Sequence, residues 1–393
     1  MRHTLPPLRL THAKVLEDGR LEDVALAFEE GVICEGPTHE VNLSGYWLLP
    51  GIIDLHGDGF EHHLAPRPTA PFDKVGGLAS ADRELAANGV TTAYFAQSWS
   101  WEGGIRSEDY AEDLMDALHR YRPEALSDIR LQIRYEIYQT HTAERMLNAM
   151  ARYGVDYVVF NDHLTESLDA AKNNPKEIAA WAAKHGRTTQ EHLDILDTAL
   201  TFADQVPETL SRLSEAFKES GVRFGSHDDG TAALREHYHA LGATICEFPT
   251  GLEAAKAAQR LGDPVLMGAP NVVRGGSQSG NIDARTLLEE GLCHGLVSDY
   301  YYPALAAAAW RLVDDGVMGF EDAWHLISTG PADVFGLSDW GRLRAGQRAD
   351  LVVMNPQTRR IEATICAGHL AYLAGEAGRR FLGRGAEVKL AAE

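Results

Sequence analysis

The stretch GIIDLHGDGFEHHLAPRP, residues 51–68, decides how the chain is read. Its apolar run Gly51–His56 has the length of a buried strand, yet it ends in Asp54, His56 and Asp58, followed by Glu61, His62, His63 and Arg67 among prolines. Burying so many titratable groups is costly unless they are paired or bind an ion. Such a strand end therefore points to a site.

Working outward, seven further short apolar runs recur between helix-like segments: Thr91–Ala96, Leu131–Glu136, Tyr157–Phe160, Val222–Gly225, Ala243–Phe248, Pro264–Met267 and Leu296–Ser298. Strand and helix alternating in this way predict repeated β-α units and a parallel sheet. Eight parallel strands close into a barrel whose chemistry sits at the C-terminal strand ends. The opening LRLTHAKVLEDGRLEDVALAFEEGVICEGP (8–37), broken at Asp18-Gly19 and Gly31, has hairpin character, and LRAGQRADLVVMNPQTRRIEATICAGHLAYLAG (343–375) repeats it. The expected architecture is a metal-dependent (β/α)8 TIM-like barrel over 49–342, with a helical insertion around 175–220. A small β-sandwich built from both chain ends, 1–48 and 343–393, completes it.

A chain of 393 residues, 45% hydrophobic and 24% charged, can bury a large core. No apolar run reaches the roughly 20 residues of a membrane helix, and MRHTLPPLRL lacks a signal-peptide core, so a cytoplasmic location without membrane attachment is expected. Cys34, Cys246, Cys293 and Cys366 have no CxxC spacing, which argues against a structural zinc site or a disulfide framework. The formal charge of −21 argues against nucleic acid or lipid as partner. An anionic substrate must then be held by local donors.

Five of the eight strand ends carry imidazole or carboxylate: Asp54, His56 and Asp58; Glu136; Asn161, Asp162 and His163; His227, Asp228 and Asp229; and Asp299. Closing the barrel gathers them into one ring, and mixed histidine and carboxylate donors suit a hydrolytic divalent cation. Zinc is the first expectation, with manganese or iron as alternatives. His56 and Asp58, two apart, can reach one ion together; Glu136 can bridge to a second held by His163 and His227. Asp299 is the expected general base, acting on a water whose pKa the cation lowers towards about 7. Each element has a plainer reading, such as a hydrogen-bonded structural histidine or, for Asp299, a helix cap. Their joint placement after strands favours the metal.

MGAPNVVRGGSQSGN, residues 267–281, follows the seventh strand. Glycine and serine around Arg274 let backbone N–H groups approach a ligand, and Arg274 can grip a phosphate or carboxylate with two bonds. Arg67, between Pro66 and Pro68, sits on a stiffened loop that suits an anion fork.

These blocks, with GSHDDGTA, CEFPTGLEAA and VSDYYYPA, resemble the amidohydrolase-superfamily enzymes of alkylphosphonate breakdown, the α-D-ribose 1-methylphosphonate 5-triphosphate diphosphatases of the carbon-phosphorus lyase pathway. The matching blocks run from about Trp47 to Ala304, and AGQRADLVV agrees near the end. The resemblance implies a metal-dependent barrel that releases pyrophosphate from a small phosphorylated substrate, one or two bound ions, and a homodimer, since related barrels commonly pair. It maps metal-site positions onto His56, Asp58, His163, His227 and Asp299, the third-strand carboxylate onto Glu136, and the PRP and PNxVRGG blocks onto Arg67, Asn271 and Arg274. Ser277, Ser279 and Asp228 join the expected substrate contacts. Many superfamily members bridge two ions with a carbamylated lysine; no lysine lies at a strand end here, so Glu136 serves or the site holds one ion. The family usually reads HTDN where this chain has His56-Gly57-Asp58-Gly59, and GGSHSGN where it has Gln278. These departures keep open an amidase, deaminase or deacylase acting on a C–N bond. A non-catalytic barrel that senses a phosphorylated ligand is the third reading.

Overall fold

A computed structural model describes residues 4–37, 39–67, 71–184, 186–277 and 280–383. Eight parallel strands form one sheet in chain order: Ile52–Gly57, Val90–Trp99, Asp128–Glu136, Tyr157–Asn161, Arg223–His227, Ile245–Glu247, Val265–Gly268 and Gly295–Val297. All eight expected strands are present. Val90–Trp99 and Tyr157–Asn161 are buried at every position, as a parallel sheet covered on both faces requires. Helices pack Ile129, Leu131, Ile133, Phe160, Leu213, Phe217 and Phe224 against the outer face. The barrel interior below the mouth is filled by Ile53, Leu55, Tyr94, Tyr157, Val159, Ile245, Leu266 and Val297.

The first and eighth strands meet through a parallel bridge, Gly57 to Asp299, and through the fully buried Asp54. Asp54 accepts from the Ser298 N–H at 2.9 Å and from its hydroxyl at 2.6 Å. Burial raises the Asp54 carboxyl above its ordinary range, opposed by the two Ser298 hydrogen bonds. Asp54 is thus a closing link between strands rather than part of the open mouth. The pairing register also shifts between Asp54 and Gly57. Ile53 and Leu55 face the interior, and after this break His56 does so as well, at hydrogen-bond distance from Glu247 across the barrel. A strand irregularity beside a site re-aims a side chain in this way.

Both chain ends build two further sheets. Four strands run in the order Val32–Cys34, Leu26–Glu29, Leu8–Thr11, Glu40–Asn42. Six run in the order His369–Leu373, Arg360–Cys366, Leu351–Asn355, Trp47–Pro50, Lys14–Glu17, Arg20–Glu22. They share a core of Leu10, Val15, Phe28, Val41, Leu48, Leu351, Val353 and Ile365, a sandwich of the expected kind. Its hairpins turn at Asp18-Gly19, Glu30-Gly31 and Ala367-Gly368, each with two positive φ values, the turn whose twist matches the strands it joins. Between the fourth and fifth barrel strands lie His163–Asn173, Pro175–Lys184, Thr189–Leu200 and Val206–Ser220. The first three pack around their own cluster of Leu164, Ala170, Ile178, Leu196 and Ala199, while Val206–Ser220 lays Leu210, Leu213 and Phe217 on the barrel. Among the described residues no helix is long and apolar enough to cross a membrane.

Since Asp54 ties the two terminal strands of the barrel together, Asp54→Ala leaves the buried Ser298 N–H without its acceptor. A loss of about 2–4 kcal/mol is expected, read as a lower urea midpoint, with Asp54→Asn losing less.

Candidate metal centre and cleft

Three imidazoles converge at the C-terminal mouth of the barrel. The ring centres of His56 and His227 are 5.2 Å apart, and those of His163 and His227 are 6.5 Å apart. Each has a carboxylate at its Nδ1: Glu247 at 2.7 Å from His56, Glu136 at 2.5 Å from His163, and Asp228 at 2.8 Å from His227. At His56 the carboxylate is hydrogen-bonded, which favours the proton on Nδ1 and leaves Nε2 with its lone pair, the arrangement by which histidine metal ligands are oriented, whereas Nδ1 of His163 and of His227 lies close to its acid without a hydrogen bond among the described residues. Glu247 is fully buried; its other oxygen accepts from the Tyr157 hydroxyl at 2.5 Å and Gln132 Nε2 at 2.6 Å. Its carboxyl is held below its usual range by the neighbouring His56, against the desolvation that opposes it. Burial depresses the His227 proton affinity, whereas Glu136 raises that of His163 against the same desolvation.

Asp58 and Asp299 complete the ring. The Asp58 N–H donates to the Asp299 carbonyl at 2.7 Å, and the Asp299 N–H donates to the His56 carbonyl at 3.0 Å. Burial, and then the charge of Asp58, push the Asp299 carboxyl up to about 6. Two like charges held together under low solvation favour a cation between or beside them. Phe248 wedges its ring 5.0 Å from His56 and 4.9 Å from His227. Asp228, Phe248 and Asp299, which follow the fifth, sixth and eighth strands, all have positive φ, at 62°, 49° and 56°. Left-handed backbone at non-glycine residues is strained and gathers at functional sites.

Above the ring opens a cleft of about 700 Å³ lined by His56, Asp58, His163, His227, Asp228 and Asp299 together with Arg106, Arg134, Asn271, Arg274, Ser277 and Tyr300. Arg274 ends the helix Ala269–Arg274, so the first half of the expected glycine-serine loop is helical; its Nη1 reaches the Tyr300 hydroxyl at 3.4 Å. The Asn271 carboxamide oxygen accepts from the Ala284 N–H at 3.0 Å and so holds this wall in place. Arg67 is exposed and is not among the lining residues, so stiffness conferred by prolines did not bring it to the cleft. Ser279, with Gln278, lies outside the described residues. Glu136 corrects the bridging expectation. One of its oxygens lies at the His163 ring and the other accepts from the His163 N–H at 3.2 Å, so it backs a single histidine. His63 ties to Glu84 at 2.6 Å and anchors its short helix, while His62 is exposed.

Sequence reasoning missed Glu247 and Arg134. Glu247 ends the sixth strand as the earlier acids end theirs, but Ile-Cys-Glu-Phe reads as an apolar interior. Arg134 was readable from LQIRYE: Gln132, Arg134 and Glu136 stand two apart and share the inner face of the third strand.

The residues fit a divalent cation. His56, His227 and Glu247 each offer a ligand atom within 4.8 Å of the others. Glu247 is already engaged by Tyr157, Gln132 and His56 and so also orients His56, while His163, Asp58 and Asp299 line the same mouth. The buried Asn161 carboxamide oxygen, without a hydrogen-bond partner among the described residues, also borders the cleft. Imidazole and carboxylate at the mouth of a (β/α)8 barrel define a metal-dependent hydrolase. The chain belongs to the amidohydrolase family, whose model matches residues 60–372. It is 34% identical over 327 residues to the alpha-D-ribose 1-methylphosphonate 5-triphosphate diphosphatase of Escherichia coli, covering 81% of this chain and 85% of that protein. It is 23% identical over 403 residues to a dihydroorotase of Halobacterium salinarum, covering 90% of this chain and 88% of the other. Among solved structures, N-acetylglucosamine-6-phosphate deacetylase from Pasteurella multocida shares the fold with a TM-score of 0.62 at 11% identity, covering 93% of this chain and 99% of that one.

Glu247→Gln removes the charge that holds the His56 proton on Nδ1. A metal affinity weaker by roughly 10–100-fold is expected, measured by competition with a chelator. Undiminished affinity would show that the carboxylate does not orient the ligand.

Proposed function

We propose that the protein hydrolyses a phosphoanhydride bond, releasing pyrophosphate from α-D-ribose 1-methylphosphonate 5-triphosphate or a related ribosyl triphosphate in phosphonate metabolism. The observation that carries this reading is the placement of three guanidinium groups, Arg106, Arg134 and Arg274, in the cleft beside the imidazole ring of a chain whose net charge is −21. Three guanidiniums facing one cleft offer fixed donors to a polyanionic substrate, and a bound divalent cation would offset the carboxylates, Asp58, Asp162, Glu166, Asp228 and Asp299, that share the lining. The likeness to the Escherichia coli diphosphatase supports the same chemistry.

His56, His163 and His227, with Asp58 and Asp299, would hold the cation; zinc fits that donor set. A bound divalent cation supplies Lewis-acid polarisation of a phosphoryl oxygen and of the attacking water. The chain's own residues do the rest. Asp299 takes the proton as the water oxygen bonds to the α-phosphorus. The bond from that phosphorus to the bridging oxygen breaks, and pyrophosphate leaves with the electron pair. Arg274 and Arg106 offset the charge that gathers on the departing oxygens, and the partly closed cleft strengthens their effect.

Two measurements test this reading. Asp299→Asn keeps the shape and removes the base, so kcat for pyrophosphate release is expected to fall by roughly 10²–10⁴-fold. Arg274→Ala is expected to raise KM for the triphosphate by about tenfold or more, with amide substrates unaffected. Turnover of amides or lactones by wild type, and none of triphosphorylated sugars, would instead place the chain among C–N or ester hydrolases.

A further inference from the structure

Arg134 is the buried charge that the ligand set leaves unexplained. It is 8% exposed, inward-facing on the third strand between Gln132, which bonds Glu247, and Glu136, which backs His163. Its Nη1 lies 3.5 Å from Asp58 Oδ2, and its Nε is buried without a hydrogen-bond partner among the described residues. Its charge bears at once on His56, His163, His227, Asp228 and Asp299, opposing protonation of each, although the neighbouring carboxylates of His56 and His163 and the burial of Asp299 outweigh it there. A permanent cation so close to cation ligands would be repelled by a second metal ion.

The groups a second ion would need are already engaged. Both Glu136 oxygens are at His163, and none of the eight barrel strands contains a lysine. We propose that Arg134 stands where a second cation would bind, so that the site holds one divalent ion and the guanidinium supplies the other positive charge facing the substrate's phosphoryl oxygens. The substrate half of this assignment rests on the phosphoanhydride reading; the ion count does not. An always-charged guanidinium with an unsatisfied donor is suited to a phosphoryl group in a way that an exchangeable ion is not.

The test uses full-length protein loaded with zinc and freed of loose ion by gel filtration. Elemental analysis is expected to give one zinc per chain; two tightly held ions would overturn the proposal. Pyrophosphate is then titrated calorimetrically into the zinc-loaded protein. Arg134→Met, which keeps bulk and removes charge, is expected to weaken pyrophosphate binding by about tenfold or more while still retaining at least one zinc, and Arg134→Lys to lose less. Wild-type affinity in Arg134→Met would overturn the charge assignment. Should that variant not fold, the wild-type zinc count and the affinity of Arg134→Lys decide. One ion per chain with weakened pyrophosphate binding supports the proposal even if the wild type cleaves no triphosphate, an outcome that would remove the functional reading instead.

Discussion

The constraint on which the structure depends is the placing of a carboxylate beside each mouth imidazole, hydrogen-bonded at His56 and a close ion-pair contact at His163 and His227. A buried histidine with no partner loses its proton affinity and its orientation together; one with an acid at Nδ1 keeps a defined tautomer. His56, His163 and His227 draw those acids from three different places: Glu247 across the barrel, Glu136 on a neighbouring strand, and Asp228 next in the chain. Only a closed sheet brings all three into register. Closure in turn needs Asp54, whose burial is made tolerable by two hydrogen bonds from Ser298. The acid in the opening stretch that looks most like a ligand therefore serves the scaffold, and the scaffold then aims its neighbour two residues on.

Much of this was legible in the sequence. Short apolar runs ending in His or Asp identify strands because a parallel sheet buries both faces and leaves only the ends to carry polarity. That logic singled out His56, Asp58, His163, His227 and Asp299, which the barrel brings to one cleft, and Glu136 behind His163. It failed at Glu247 because Phe248 continues the apolar run past it, and its partners Tyr157 and Gln132 lie 90 and 115 residues away. It misjudged Glu136 because alternation tells which face a residue occupies but not which atom it meets. Arg67 shows the converse limit: flanking prolines stiffen a loop without saying where the loop goes.

Local strain separates the site from the rest of the barrel. Among the described residues, eight non-glycine positions have positive φ, and three of them follow strands at this mouth. Each turn diverts the chain immediately after a strand, placing Asp228 beside His227, Phe248 between two imidazoles, and Asp299 over the first strand. Gly57 belongs to the same account. A Cβ there would lie 2.6 Å from both Asp54 Oδ2 and Ser298 Oγ. A β-branched residue such as the threonine of the resembled HTDN motif cannot be accommodated without displacing the closing link, so Gly57 is explained by barrel packing and does not by itself indicate a different substrate.

The charge pattern argues in the same direction. A surface of net negative charge slows the approach of a polyphosphate and penalises its binding anywhere outside the cleft. Three arginines face the cleft among five lining carboxylates, Asp58, Asp162, Glu166, Asp228 and Asp299, with Arg106 paired to Glu102 at 2.9 Å and Arg134 to Asp58 at 3.5 Å. Pairing keeps the guanidiniums fixed before the substrate arrives, so little side-chain ordering is left to oppose binding. It also sets a threshold: an incoming anion must compete with a resident carboxylate, and a ligand bearing several phosphoryl charges does so far better than a neutral amide or a single carboxylate. On the proposed reading, selectivity for highly charged substrates follows from how the arginines are held as much as from how many there are.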